Sequence, residues 1–185
     1  MALTRGSIVE AGLRILDEDG LGELSMRRVA DALGVQAGAL YYHVPNKQSL
    51  LAAVADEILA GPPASPEPSS PIEDWLVEWS AGLRRRLLAH RDAAELVAST
   101  HALGLGAVDP CALGREWLEE DGTPEPAATM AALLHFVLGH VLEEQTQAQM
   151  HQLGVVPHFD AAAHERDFAW GLALFTAGVG GARRG

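Results

Sequence analysis

The chain has 185 residues, 48% apolar and 21% charged, which excludes disorder as the default and fits one or two globular domains. Its net charge of −12 argues against non-specific binding to nucleic acid or anionic lipid, without excluding a local basic patch. A single cysteine, Cys111, excludes an intrachain disulfide framework and a cysteine-built zinc site, and the start of the chain shows no signal peptide, so a reducing, cytoplasmic setting is expected.

Almost every segment has helical spacing. Thr4 is placed to cap a first helix whose Ile8, Ala11, Ile15 and Leu16 share one face, and Gly20 and Gly22 end it. Ser25 caps a short helix over Met26–Leu33. Gly34-Val35-Gln36 is a tight turn, and a shorter helix is expected over Ala37–His43 until Pro45-Asn46 breaks it. A fourth helix covers Lys47 to about Ala60. Residues 61–71 hold five of the ten prolines and compose a linker. Beyond it Trp75, Trp79, Leu83 and Leu87 recur every four residues, the mark of an amphipathic helix. A looser stretch over residues 104–110 precedes a short helix near Leu113–Glu120. A long helix follows, from Pro126 to about Met150. Its most apolar run, Ala127 to Leu142, is shorter than the ~18 residues of a membrane span and is interrupted by His135 and His140, so no membrane partner is expected. A last helix covers about His164–Val179, and the tail from Gly180 is expected to fray. No strand-length alternation occurs, so the fold class is all-α.

The segment from Ser25 to Lys47 carries the functional signal. Two short helices about a glycine turn make a helix-turn-helix, with Ala30, Leu33 and Val35 between them and Leu40 and Val44 holding the second to the core. The other face of the second helix presents Gln36, Ala37, Gly38, Ala39, Tyr41, Tyr42 and His43. Small residues at its start let a helix sit deep in a major groove, and the tyrosines and histidine then reach phosphates or base edges. Ser25, Arg27, Arg28 and Lys47 flank this face, and the three cations offer phosphate neutralisation. Residues 1–50 carry five basic against six acidic side chains and residues 51–185 eight against nineteen, whereas Leu24–Leu50 holds three basic residues against Asp31 alone. An ordinary helical corner with solvated tyrosines is the bland alternative.

The run from Ser25 to Lys47, with its Leu33-Gly34-Val35 turn, its Leu40-Tyr41-Tyr42-His43 ending and Asn46-Lys47 opening the next helix, resembles the DNA-binding segment of the tetracycline repressor (TetR) family. That resemblance covers residues 4–60. It implies an all-α homodimer with an N-terminal three-helix DNA-binding domain over 1–47 and a C-terminal helical ligand-binding and dimerisation domain over 48–185. Arg27 and Lys47 match phosphate- or base-contacting positions, and Ala37, Gly38, Ala39, Tyr41, Tyr42 and His43 match the recognition face.

The C-terminal half resembles the tetracycline repressor subgroup through Leu87–Asp92 and His135–Gln145. His135 and Glu143 match residues that help form the drug and magnesium site there. The match then departs. Val97 stands where the subgroup has its magnesium-coordinating histidine, Trp79 where it has a drug-binding asparagine, and Pro63 where it has a further histidine. Neither valine nor tryptophan replaces a metal imidazole or an amide clamp. Magnesium-tetracycline recognition is therefore expected to be lost, with another ligand held by Trp79, Leu83, Val97, Thr100, His101, His135, Gly139 and Glu143. His135 and Glu143 lie about 80° apart around a helix, so both can face one cavity. A core histidine and a surface glutamate is the bland reading. The long helix is apolar nearly all round, which calls for several packing partners. Val137, Val141, Phe168, Leu172 and Phe175 are expected to form a four-helix dimer interface.

Enzyme motifs are incomplete. His90-Arg91-Asp92 mimics a kinase tripeptide without a glycine-rich loop, His164-Glu165 lacks the second histidine of a zinc-protease helix, and the acidic neighbours of Cys111 do not favour a thiolate. No catalytic residue, metal ligand or cofactor is assigned. The expected function is a ligand-responsive transcriptional repressor acting on a palindromic operator. The alternative is a small-molecule-binding or assembly protein of the same fold that no longer binds an operator.

Overall fold

The computed structural model describes residues 3–61 and 70–182. The linker assigned to residues 61–71 and the tail from residue 183 thus fall largely outside the described residues. Nine α-helices are present there, with no strand: α1 (Arg5–Asp19), α2 (Met26–Leu33), α3 (Ala37–Leu40), α4 (Lys47–Leu59), α5 (Ile72–Leu88), α6 (Ala93–Ala102), α7 (Ala112–Glu120), α8 (Pro126–Gln152) and α9 (Ala161–Ala182). A short 3-10 turn, Leu21–Glu23, joins α1 to α2. The chain forms two compact units, one of residues 1–60 with 86–109, the other of 61–85 with 110–185. The expected boundary at residue 47 therefore does not coincide with a structural one. Leu50, Val54 and Ile58 of α4 are buried, and α4 packs on α1 and α6.

In the first unit the caps form as expected. Thr4 and Ser7 exchange hydrogen bonds in a capping box at the start of α1, and Asn46 Oδ1 accepts the Ser49 N–H at 2.8 Å to start α4. Ile8, Leu16, Leu24, Val29, Leu40, Leu50 and Val54 are fully buried together with Leu96 and Val97 of α6. Each such side chain contributes about 1.5–3 kcal/mol by leaving water. Polar ties lock the α5–α6 corner to α1: Asp92 Oδ2 accepts the Leu21 N–H at 2.8 Å, and Asp17 takes His90 Nδ1 at 3.1 Å. The kinase-like tripeptide is thus a structural corner, with Asp92 at φ 55.

In the second unit the every-fourth apolar stripe of α5 is the buried face, through Trp75, Trp79 and Leu83. Trp75 lies 5.2 Å from Trp117 of α7, ring centre to ring centre. Gly114 permits this approach, because a Cβ there would fall 2.6 Å from Met130 Sδ and 2.8 Å from Trp75. Helix α8 is, by length and composition, able to cross a membrane, contrary to the expectation of too short a run. Met130, Leu133, Leu134, Val137 and Val141 are nevertheless buried in this unit, where α8 packs on α7 and α9. Helix α9 extends to Ala182 with Val179 and Gly180 buried, so fraying does not begin at Gly180.

Candidate nucleic-acid interface and effector cavity

Ser25 Oγ accepts the Arg28 N–H at 3.3 Å and caps α2, so its local role is structural. Gly34 ends α2 at φ 66, ψ 31, the left-handed region that glycine enters without a Cβ penalty. Helix α3 is one turn, ending at Leu40 rather than running to His43. The His43 and Val44 N–H groups both donate to the Leu40 carbonyl, at 2.9 and 2.8 Å, and Pro45 pushes Val44 out of helical geometry. Tyr41, Tyr42 and His43 therefore leave the helix as a tight turn.

That turn is anchored and outward-facing. Leu40 and Val44 are buried at 0% and 1% exposure, while Tyr42 between them is 92% exposed. Gln36, Gly38, Tyr41, His43 and Lys47 are also exposed, with Ala37 and Ala39 half-buried. Arg27 is free to reach outward, its nearest carboxylate, Asp31, being 3.9 Å away. Arg28 differs from the expectation, because its Nη2 holds Asp19 at 2.6 Å. The hydrogen bond to Asp19 raises the guanidinium pKa above its ordinary value and already answers its charge.

Of the eight expected ligand residues, Val97, Thr100 and His101 belong to the first unit and Trp79, Leu83, His135, Gly139 and Glu143 to the second. Val97, Thr100 and His101 line one cavity of about 180 Å³ inside the first unit, completed by Ala55, Asp56 and Leu59 of α4 and by Gly104, Gly106, Val108 and Asp109. Thr100 and His101 lie in the last turn of α6. The Asp56 carboxylate clasps the following loop, accepting the N–H groups of Ala107 and Val108, each at 2.9 Å. Sequence reasoning missed Asp56, since nothing local distinguishes it from a solvated helix carboxylate. Trp79 and Leu83 are buried in the core of the second unit, and Trp79 Nε1 donates to the Pro110 carbonyl at 3.0 Å. His135, Gly139 and Glu143 are exposed on α8, and Glu143 accepts from Gln147 at 3.0 Å.

The dimer assignment is corrected too. Val137, Val141, Phe168 and Leu172 are 0–4% exposed inside a single chain, and Phe175 is half-buried. The first four belong to the α8–α9 core of the chain itself. Exposed large apolar side chains on these two helices are Leu142 on α8 and Trp170 and Leu174 on α9.

One polar cluster escaped sequence reasoning. Arg84 of α5 is buried and gives both Glu144 carboxylate oxygens a hydrogen bond, at 3.0 and 2.8 Å, and holds Glu165 at 2.6 Å. His140 lies beside Glu144, one turn earlier on α8, and its ring stands 5.8 Å from that of His164 on α9. Burial lowers the His140 pKa below the ordinary histidine value, with Arg84 and His164 adding to the effect and Glu144 opposing it. The four-residue spacing of His140 and Glu144 was the available signal.

A helix-turn-helix that presents an anchored, tyrosine-tipped turn, followed by a helical bundle, defines a DNA-binding regulatory protein. The model of bacterial regulatory proteins of the tetR family matches residues 8–54, and that of the tetracycline repressor-like C-terminal domain matches residues 66–180. The tetracycline repressor protein class A from transposon 1721 of Escherichia coli is 32% identical over 197 residues, covering 96% of this chain and 90% of that protein. BioQ solved with its double-stranded DNA operator superimposes with a TM-score of 0.80 at 32% identity, over 96% of this chain and 98% of that one. ActR of Streptomyces coelicolor in complex with (S)-DNPA does so with 0.76 at 29%, over 98% and 100%. The chain belongs to the TetR family and is a DNA-binding transcriptional regulator.

Proposed function

We propose that this protein is a homodimeric, cytoplasmic repressor that holds a palindromic operator and releases it when a small molecule other than magnesium-tetracycline binds. The observation that carries the reading is the Gln36–His43 surface: an outward tyrosine turn whose flanks, Leu40 and Val44, are locked in the core. Such a surface enters a major groove without local refolding. Arg27 and Lys47 supply phosphate contacts, and Arg28 contributes less because Asp19 holds it. The operator-bound BioQ and the (S)-DNPA-bound ActR support the two halves of this reading. No residue is assigned a catalytic role.

The effector site is the cavity on α6. It touches α4 directly, and α4 starts at Lys47, straight after the reading turn. A ligand that displaces the 104–109 loop breaks the Asp56 clasp and shifts α4, moving the reading turn with it. About 180 Å³ is below the ~300–1,000 Å³ of drug-sized sites, so the effector is small or the loop yields to it. Val97 stands in its wall where the resemblance places the magnesium-coordinating histidine of the tetracycline repressor subgroup.

The test is fluorescence anisotropy with a labelled duplex from the protein's own upstream region, at near-physiological salt, with a scrambled competitor. Nanomolar affinity and at least ~10³-fold preference establish operator binding, and effectors are then found by release of that complex. No preference on any genomic fragment in an unbiased selection overturns the reading and favours a ligand-binding protein that has lost its operator.

A further inference from the structure

We propose that His140, Glu144 and His164 form a binding site for a transition-metal dication of the zinc class where α8 meets α9. One ligand atom from each of the three lies within 4.8 Å of the others. His140 and Glu144 are four residues apart and so share one face of α8, the spacing by which a helix offers two donors to one ion. His164 comes from the neighbouring helix. Zinc sits ~2.0–2.2 Å from imidazole nitrogen and carboxylate oxygen, so the donors need draw together by only about 1 Å, within the reach of side-chain torsions.

The surroundings favour this over a purely structural cluster. His140 Nδ1 is buried and has no hydrogen-bond partner among the described residues, an arrangement that costs free energy unless something else meets it. His164 Nε2 lies 3.2 Å from Gln147 Oε1. The tautomer that donates there leaves Nδ1 with its lone pair, and the glutamine acts as the outer partner that orients a ligating histidine. Arg84 is the objection, since it already holds Glu144 through both oxygens. Each carboxylate oxygen keeps a second lone pair, however, and Arg84 also faces Glu165, while Glu143 acts on His140 from the same helix. One guanidinium against three carboxylates leaves surplus negative charge, which a dication neutralises. Two imidazoles and one carboxylate select zinc, cobalt or nickel over magnesium or calcium. Three protein donors leave a coordination position open to water or to a donor atom of a ligand.

The full-length protein, freed of metal with a chelator, is titrated with Co²⁺ as a spectroscopic substitute and then with Zn²⁺. The expected result is one ion per chain, visible d–d bands that Zn²⁺ abolishes, and a higher melting temperature. His140→Ala and His164→Ala each weaken binding by more than the ~10–100-fold that loss of an outer partner costs. His151→Ala and His158→Ala, at exposed positions, leave it unchanged. Equal affinity in all four variants means an adventitious ion only and overturns the proposal, as does failure of the wild type to bind. A measurement on the unmutated chain guards against misfolded variants: Zn²⁺ must move the imidazole NMR signals of His140 and His164. Shifts confined to the other histidines overturn the site.

Discussion

Tyr42 protrudes into solvent while Leu40 and Val44 on either side are fully packed, so its side chain contributes reach and almost no stability. Tyr42→Ala is expected to lower specific operator affinity by about 1–3 kcal/mol, the size of one good base or groove contact, with an unchanged melting curve. Operator titration and circular dichroism check the two halves. Lys47 acts through charge alone. Lys47→Ala is expected to weaken all duplexes alike and to reduce the slope of log affinity against log salt by about one; a slope equal to wild type removes it from the phosphate contacts. The exposure of Tyr42 and the burial of its anchors were legible in the sequence because the turn is local, anchors and tip lying within ten positions. Arg28 was not, because its partner Asp19 comes from the preceding helix and only folding brings the two to 2.6 Å.

Helices show which signals survive at the next scale. Caps and punctuation held: Thr4, Ser25 and Asn46 start α1, α2 and α4 through side-chain oxygens, as their residue types dictate. Gly34 is needed for its φ of 66 and for nothing else, since a Cβ there meets no atom within 4 Å. Gly34→Ala is therefore a clean measure of left-handed strain and is expected to cost about 1 kcal/mol in urea unfolding. The facing of α8 was not legible. A helix apolar nearly all round gives periodicity nothing to register, and an error of one residue turns a side chain by 100°. Hence His135 and Glu143, taken as pocket residues, are exposed, while their neighbours Phe136, His140 and Glu144 turn inward. Glu144 is buried only because Arg84 meets it. Arg84→Ala leaves that carboxylate unpaired and is expected to cost about 3–5 kcal/mol, measured by denaturant unfolding at neutral pH. Arg84→Ala with Glu144→Leu should recover part of the loss, as removing both charges avoids the uncompensated one.

On the palindromic operator proposed above, the whole molecule presents two reading turns at once, because a palindrome takes two copies related by a two-fold axis. The residues first assigned to the dimer, Val137, Val141, Phe168 and Leu172, are consumed by the chain's own core. Apolarity alone had chosen them, and one sequence cannot divide apolar residues between core and partner. On α8 and α9 the exposed large apolar side chains are Trp170, 69% exposed, Leu174 one turn later at 59%, and Leu142 at 40%. Around them lie Gly139, Ala173, Ala177, Gly178 and Gly181, all exposed and small enough for helices of a second copy to approach closely. A large aromatic and a leucine in register on one helix make a poor solvent face and a good interface centre. On this reading, two copies of α8 and α9 are expected to form a four-helix interface around these exposed side chains. Trp170→Glu with Leu174→Glu places charge at that centre without touching the buried residues. The variant is expected to sediment as a folded monomer where the wild type is a dimer. Its operator affinity should fall by orders of magnitude while binding to a single half-site persists weakly. Sedimentation as a dimer would move the interface elsewhere on the chain. A monomer that still held the full operator at wild-type affinity would instead show that the two reading turns need not be coupled through protein.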